Sequence, residues 1–180
     1  MRTVASPTQV LREEHRVILR AIELVEIAAE RLDAGRALPA GWWEELLEWL
    51  RAFADRNHHA KEETYLFPAL ARAGVPASGG PVGVMLDEHT EGRGLIRLMA
   101  ESPVPGRAAA ARRYVHLLRD HIDKENGVLF PLADAVLDPE AQLLVARAFE
   151  DVEAEQAPAA SGEHAESRVD RLAAALGDRA

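Results

Sequence analysis

Residues 58–68 read HHAKEETYLFP and residues 121–131 read HIDKENGVLFP. The two stretches agree at every landmark: a His, a Lys three residues on, a Glu four on, and Leu-Phe-Pro at eight to ten on. Lys61 and Lys124 are the only lysines in a chain with 19 arginines, so composition alone would not put both at one offset. The chain therefore carries a two-fold repeat spaced by 63 residues. On an α-helix, a His and a Glu four residues apart are separated by about 6 Å of rise and a small angle, so imidazole and carboxylate share one face. His58 with Glu62, and His121 with Glu125, are thus candidate pairs for one metal or for adjacent metals.

Working outward, each pair is preceded by one further histidine among polar residues: His15 in REEHR and His89 in DEHT. Helical periodicity surrounds all of them. Ser6-Pro7 reads as a cap and first helical residue, followed by an apolar pattern from Val10 to Ile27 and a stop near Gly35. A second helix runs from Trp42 to Leu70 and stops at Gly74. A third runs from Val82 to Glu101, and a fourth from Arg107 to about Val136 after a turn over Ser102–Gly106. Asp138-Pro139 opens a fifth helix through Phe149. A mobile linker is expected over Glu153–Ser161, then a short last helix from about Glu163 to Leu176. No stretch reads as a strand. Four long helices with short connections predict an all-α, up-down-up-down four-helix bundle over residues 1–137, with a C-terminal helical extension and partly mobile tail over 138–180. Trp42, Trp43 and Trp49 read as packing residues.

Antiparallel neighbours place residues equally far from a shared turn at equal height. His15 lies 20 residues before Gly35, and the middle of the His58–Glu62 pair 19 after Gly41; His89 lies 12 before Glu101, and His121 14 after Arg107. Four imidazoles and two carboxylates are thereby expected to meet in one layer of the interior. Such groups are costly to desolvate and are tolerated when paired or metal-bound. Imidazole with carboxylate suits iron, manganese or zinc, and a pair of metals about 3.5–4 Å apart fits a set of this size. If Glu62 and Glu125 both bridge, each metal gains two imidazoles and two carboxylate oxygens and keeps an open position.

Composition narrows the function further. The chain has 180 residues, 48% of them hydrophobic, a formal charge of −9 and no cysteine. The negative charge argues against nucleic-acid and anionic-membrane partners, which are held by clustered Lys and Arg. Without cysteine there are no disulfides, thiol nucleophiles, iron–sulfur ligands or thiolate zinc sites. No apolar run of about 18 residues occurs, and the first eight residues lack a signal-peptide core, so a cytoplasmic location is expected.

The set His15, His58, Glu62, His89, His121 and Glu125, with Leu-Phe-Pro after each pair, resembles the hemerythrin-like family of HHE cation-binding domains over residues 8–137. The resemblance implies a four-helix bundle holding two iron ions as a non-haem centre with bridging carboxylates. Members include oxygen carriers, oxygen and nitric-oxide sensors, iron-homeostasis proteins, iron–sulfur repair proteins and peroxide-handling enzymes. Two departures stand out. Oxygen carriers use a fifth histidine four residues after the one on helix three, where this chain has Arg93. Repair proteins often bring N-terminal cysteines, and this chain has none.

Other residues compete for the site. His59 and Glu63 repeat the spacing one residue later and would replace His58 and Glu62 in a shifted register; the Leu-Phe-Pro offset favours the first pair. His116 matches the His121 face poorly. His164 reaches the site only if the tail folds back. Tyr65 and Tyr114 read as core tyrosines, Lys61 and Lys124 as residues of solvated faces, and Arg93 as a partner to a carboxylate. Three functions follow. The first is a di-iron protein, sensor or oxidoreductase, that binds or reacts with dioxygen, peroxide or nitric oxide. The second is an iron-homeostasis or regulatory protein with a protein partner and no oxygen chemistry. The third is a colourless zinc site.

Overall fold

The structure, a computed structural model, describes residues 5–155 and 162–177. Among the described residues there is no strand, and six helices follow one another. Helix α1 is Pro7–Asp33, α2 residues 42–72, α3 Pro81–Glu101, α4 residues 104–136, α5 Pro139–Glu155 and α6 Gly162–Gly177. Ser6 caps α1 by accepting a hydrogen bond from the Gln9 N–H at 3.2 Å, and proline at the first position fits a site with no intrahelical N–H bond to lose. Gly35 and Gly41 turn the chain between α1 and α2 with φ of 67° and 73°, values that a Cβ would strain. The turn expected over Ser102–Gly106 is shorter: α4 starts at Val104, because Pro105 is accommodated in a first helical turn. The linker expected from Glu153 is helical through Glu155, and residues 156–161 lie outside the described residues.

Two apolar clusters form the interior. The larger includes Ile18 on α1, Trp49 and Phe53 on α2, Leu95 on α3 and Leu118 on α4. The smaller includes Leu11, Leu66, Met85 and Leu129 on the same four helices, with Phe149 of α5. Chain order then decides what lies between them. Helices α1 and α3 pass from the smaller cluster to the larger, and α2 and α4 pass the other way. On each helix the histidines and glutamates of the repeat fall at the crossing point. Helix α6 belongs to the larger cluster through Ala165, Val169, Leu172 and Leu176. Two of the three tryptophans bind it directly: Trp42 Nε1 donates to Leu172 O at 2.8 Å and Trp49 Nε1 to Ala165 O at 2.9 Å, while Trp43 Nε1 donates to Met99 O at 3.1 Å. No described helix is long and apolar enough to cross a membrane.

Candidate metal centre

The helices that carry the repeat are not uniformly α. Residues Leu50–His59 and Glu62–Leu66 in α2, and Glu125–Leu129 in α4, wind as π-helix. Just after the last two stand Pro68 and Pro131, which cannot donate a backbone hydrogen bond and crowd the carbonyl four residues back. The wider turn absorbs that mismatch: the N–H of Phe67 donates to Glu62 O, and that of Phe130 to Glu125 O, each five residues back. More residues per turn also mean a smaller angle between successive side chains, so neighbours in sequence come closer to sharing a face.

The structure brings His15, His58, Glu62, His89, His121 and Glu125 together in one layer, every one of them at most 2% exposed. Each of the four histidines has Nδ1 paired to an acceptor. His58 Nδ1 meets Glu14 Oε2 at 2.7 Å, and His121 Nδ1 meets Glu88 Oε2 at 2.9 Å, so the residue before each lone histidine holds the histidine of its own repeat. The other two pairs cross between repeats. His89 Nδ1 meets Glu63 Oε1 at 2.7 Å and His15 Nδ1 meets Asn126 Oδ1 at 3.0 Å, so the residue after each central glutamate holds the lone histidine of the other repeat. With Nδ1 protonated, every Nε2 is a lone-pair donor aimed inward, the tautomer a metal requires.

The inward atoms are left over. His15 Nε2, His58 Nε2 and all four carboxylate oxygens of Glu62 and Glu125 are buried without a hydrogen-bond partner. His15 Nε2 lies 3.1 Å from Glu125 Oε2, close enough for attraction but outside hydrogen-bonding orientation. His89 Nε2 and His121 Nε2 face each other at 3.2 Å, where they can share only one proton. A buried polar group without a partner costs about 1–3 kcal/mol, so a set this large fits a fold whose balance is completed by cations. Two ligand groups result, each with its donor atoms within 4.8 Å of one another: His15, His58, Glu62 and Glu125, and His59, Glu62, His89 and His121. Glu62 is common to both. His59 is the donor that the helical spacing did not add, because at 3.6 residues per turn it stands off the face of His58 and Glu62; it enters beside them, not in place of His58.

Electrostatics follow the pairing. Burial would lower His89, but the Glu62 and Glu63 carboxylates beside it push it up to about 9. For His15 burial is likewise outweighed, here by Glu125, and its pKa is raised. Burial wins for His58, which is lowered, and for His59, which burial and the facing His89 hold well below its ordinary value. Burial would raise the Glu125 carboxyl, but the surrounding His121 and His15 hold it below the usual carboxylate range.

The remaining candidates separate cleanly. Lys61, expected on a solvated face, is fully buried: its ammonium bridges Glu14 and Glu153, and the ammonium lies 5.9 Å from the centroid of the Phe149 ring. Burying it is possible because two carboxylates meet it, one of them from α5. Lys124, at the same offset, is half exposed and pairs with Glu88. Arg93 donates to Asp55 at 2.8 Å and to Glu63 at 2.7 Å, so it steadies the carboxylate that holds His89. His116 is 81% exposed beside Asp120, and His164 is exposed on α6; neither joins the ligand groups. Tyr65 packs on the smaller cluster and Tyr114 lies inside the larger, where burial pushes its phenol up and keeps it neutral. Glu14 and Glu88 were legible as a second repeated feature, a glutamate directly before each lone histidine; Asn126 carried no such signal.

The comparisons agree with this geometry. Residues 6–133 match the hemerythrin HHE cation-binding domain. An uncharacterized protein of Mycobacterium tuberculosis is 29% identical over 160 residues, covering 83% of this chain and 62% of that protein. The iron–sulfur cluster repair protein YtfE of Escherichia coli is 29% identical over 136 residues, covering 67% of this chain and 60% of that protein. The chain thus spans about three-fifths of the length of these curated relatives. With the family match covering most of the chain and the inward histidines and glutamates in place to receive cations, the chain belongs to the hemerythrin HHE cation-binding family.

Proposed function

We propose that this protein holds two iron ions between its helices and uses them to bind or react with dioxygen, peroxide or nitric oxide, in sensing or in stress detoxification. The observation that carries the reading is the buried layer of ring nitrogens and carboxylate oxygens that lack hydrogen-bond partners and fall into two groups sharing Glu62. The alternating passage of α1 to α4 between the two apolar clusters supports the up-down-up-down order that such a site needs. His15, His58, His89, His121, Glu62 and Glu125 are the proposed ligands. Iron held there supplies one-electron redox chemistry and affinity for small oxidants and diatomic molecules. The residues around it fix each Nδ1 proton, hold the Glu125 carboxyl below the usual carboxylate range, and exclude water with apolar clusters on both sides. Likeness to an iron–sulfur cluster repair protein supports iron as the metal.

The test is the visible and near-ultraviolet spectrum of protein loaded anaerobically with ferrous iron, followed as air, peroxide or nitric oxide is added. A new ferric or nitrosyl absorption is expected. Iron left unbound, or bound iron indifferent to all three, overturns the reading. Glu62→Ala and Glu125→Ala are each expected to lose one or both metals; two irons retained at full affinity in either variant refute that ligand's role.

One observation favours a second, regulatory reading. Glu153 of α5 reaches His58 through Lys61 and Glu14, so occupancy of the site is linked to the C-terminal helices. Metal-dependent change in the protection of α5, without any reaction with oxidants, would favour iron sensing.

A further inference from the structure

The position beside each repeat's histidine differs between the repeats. After His121 comes Ile122, buried in the larger apolar cluster; after His58 comes His59, buried in the polar layer. The fold therefore accepts a plain hydrocarbon at this position, and an imidazole there is not required for packing. His59 is also poorly provided for as a structural residue. Its Nδ1 has no hydrogen-bond partner, and the carboxylate it faces, Asp55, is 3.6 Å away and already engaged by Arg93. Its ring lies stacked on His89 with 3.8 Å between centroids and edge-on to His121 at 5.8 Å. One of its ring nitrogens lies within 4.8 Å of the donor atoms of Glu62, His89 and His121.

Resting on the two-metal reading above, we propose that His59 is a fifth imidazole ligand, which gives three imidazoles to the metal of His89 and His121 and leaves two on the metal of His15 and His58. Arg93 fills the helix-three place from which a further histidine would reach the site and is tied to Asp55 and Glu63, so the additional donor comes from α2, where the π-helical winding swings His59 inward. The pair is then unsymmetrical by construction: the position free for a small exogenous ligand lies on the His15 and His58 side, where one donor fewer is present.

Counting ligated imidazoles tests this directly. Protein loaded with cobalt(II) gives a strongly shifted, solvent-exchangeable N–H proton resonance for each coordinated imidazole, present in H2O and absent in D2O. Wild-type protein with two cobalt ions bound is expected to show five such resonances. His59→Ile, which copies the residue of the second repeat, is expected to show four with both ions retained, and His116→Ala five. Four resonances in wild-type protein with two cobalt ions bound would overturn the role of His59 and leave the two-metal reading intact. Wild-type protein that binds fewer than two cobalt ions overturns both. The wild-type count decides by itself, so the result does not depend on the folding of His59→Ile.

Discussion

Lys61 and Lys124 hold the same offset in the two repeats, each beside a glutamate that precedes a lone histidine, yet they live in different solvents. Lys61 is fully buried between Glu14 and Glu153, whereas Lys124 is 44% exposed. Removing one partner from a buried ionic network leaves charge without compensation, which costs about 3–5 kcal/mol, while exposed pairs are worth about 0–1 kcal/mol. Lys61→Ala is therefore expected to lower the unfolding free energy by about 3–5 kcal/mol. Lys124→Ala is expected to lower it by less than about 1 kcal/mol. Urea unfolding of the two metal-free variants checks the contrast, and equal losses would refute it. Glu14 makes a second point at this scale. Because it holds His58 Nδ1 as well as Lys61, Glu14→Gln is expected to weaken metal binding about 10–100-fold, read by competition against a chelator of known affinity.

At the scale of the element, the ligand-bearing helices trade regular winding for aim. Two of the three π-helical segments, Glu62–Leu66 and Glu125–Leu129, end two residues before a proline, and each of these two contains the central glutamate of its repeat. Helix α3 instead carries glycines within its length. Gly94 lies in its interior with open space where a Cβ would stand and no positive φ. Gly94→Ala should therefore stabilise the protein by about 0.5–1 kcal/mol through the reduced freedom of the unfolded chain, visible as a raised Tm. An unchanged or lowered Tm would mean that α3 needs the missing side chain there. Helix α6 is an element whose weight the apolar pattern understated. Its thin stripe of Val169, Leu172 and Leu176 covers Trp42 and Trp49, whose indole N–H groups donate to its backbone carbonyls.

For the whole molecule, protons compete with metal for one layer. His58 and His59 are held neutral by burial in the folded protein, while the unfolded chain takes up protons below the ordinary value of 6.5, so their contribution is lost as pH falls through that range. The lowered carboxyls of Glu14, Glu63 and Glu125 add a further loss as pH drops below 4.5. His89 acts in the opposite sense: raised to about 9, its contribution is full below 6.5 and is lost as pH rises through about 9. Metal-free protein is therefore expected to lose stability on both sides of neutrality. Metal-loaded protein should keep the acid loss and shed the alkaline one, because the ligated imidazole no longer needs its proton. Urea midpoints measured across the pH range for both forms check this. Removing residues 138–180 is expected to lower the midpoint further and to shift tryptophan emission to longer wavelength, since Trp42 and Trp49 lose their cover and Lys61 loses Glu153.

Much of this protein was determined by sequence alone. The repeat at residues 58 and 121, the lone histidines His15 and His89, and the heights counted from the loops already put six donors in one layer of a helical protein, because helical rise is nearly constant and short turns keep neighbouring helices in step. Periodicity measures position around one helix on the assumption of 3.6 residues per turn. It could not see that α2 winds wider and brings His59 in beside His58, nor that the lysines of a perfect repeat would find unlike surroundings. The crossed hydrogen bonds from His89 to Glu63 and from His15 to Asn126, the burial of Lys61 under α5 and the seating of α6 on the tryptophans depend on which helix lies against which. Those contacts join residues far apart in the chain, and only the tertiary packing decides them.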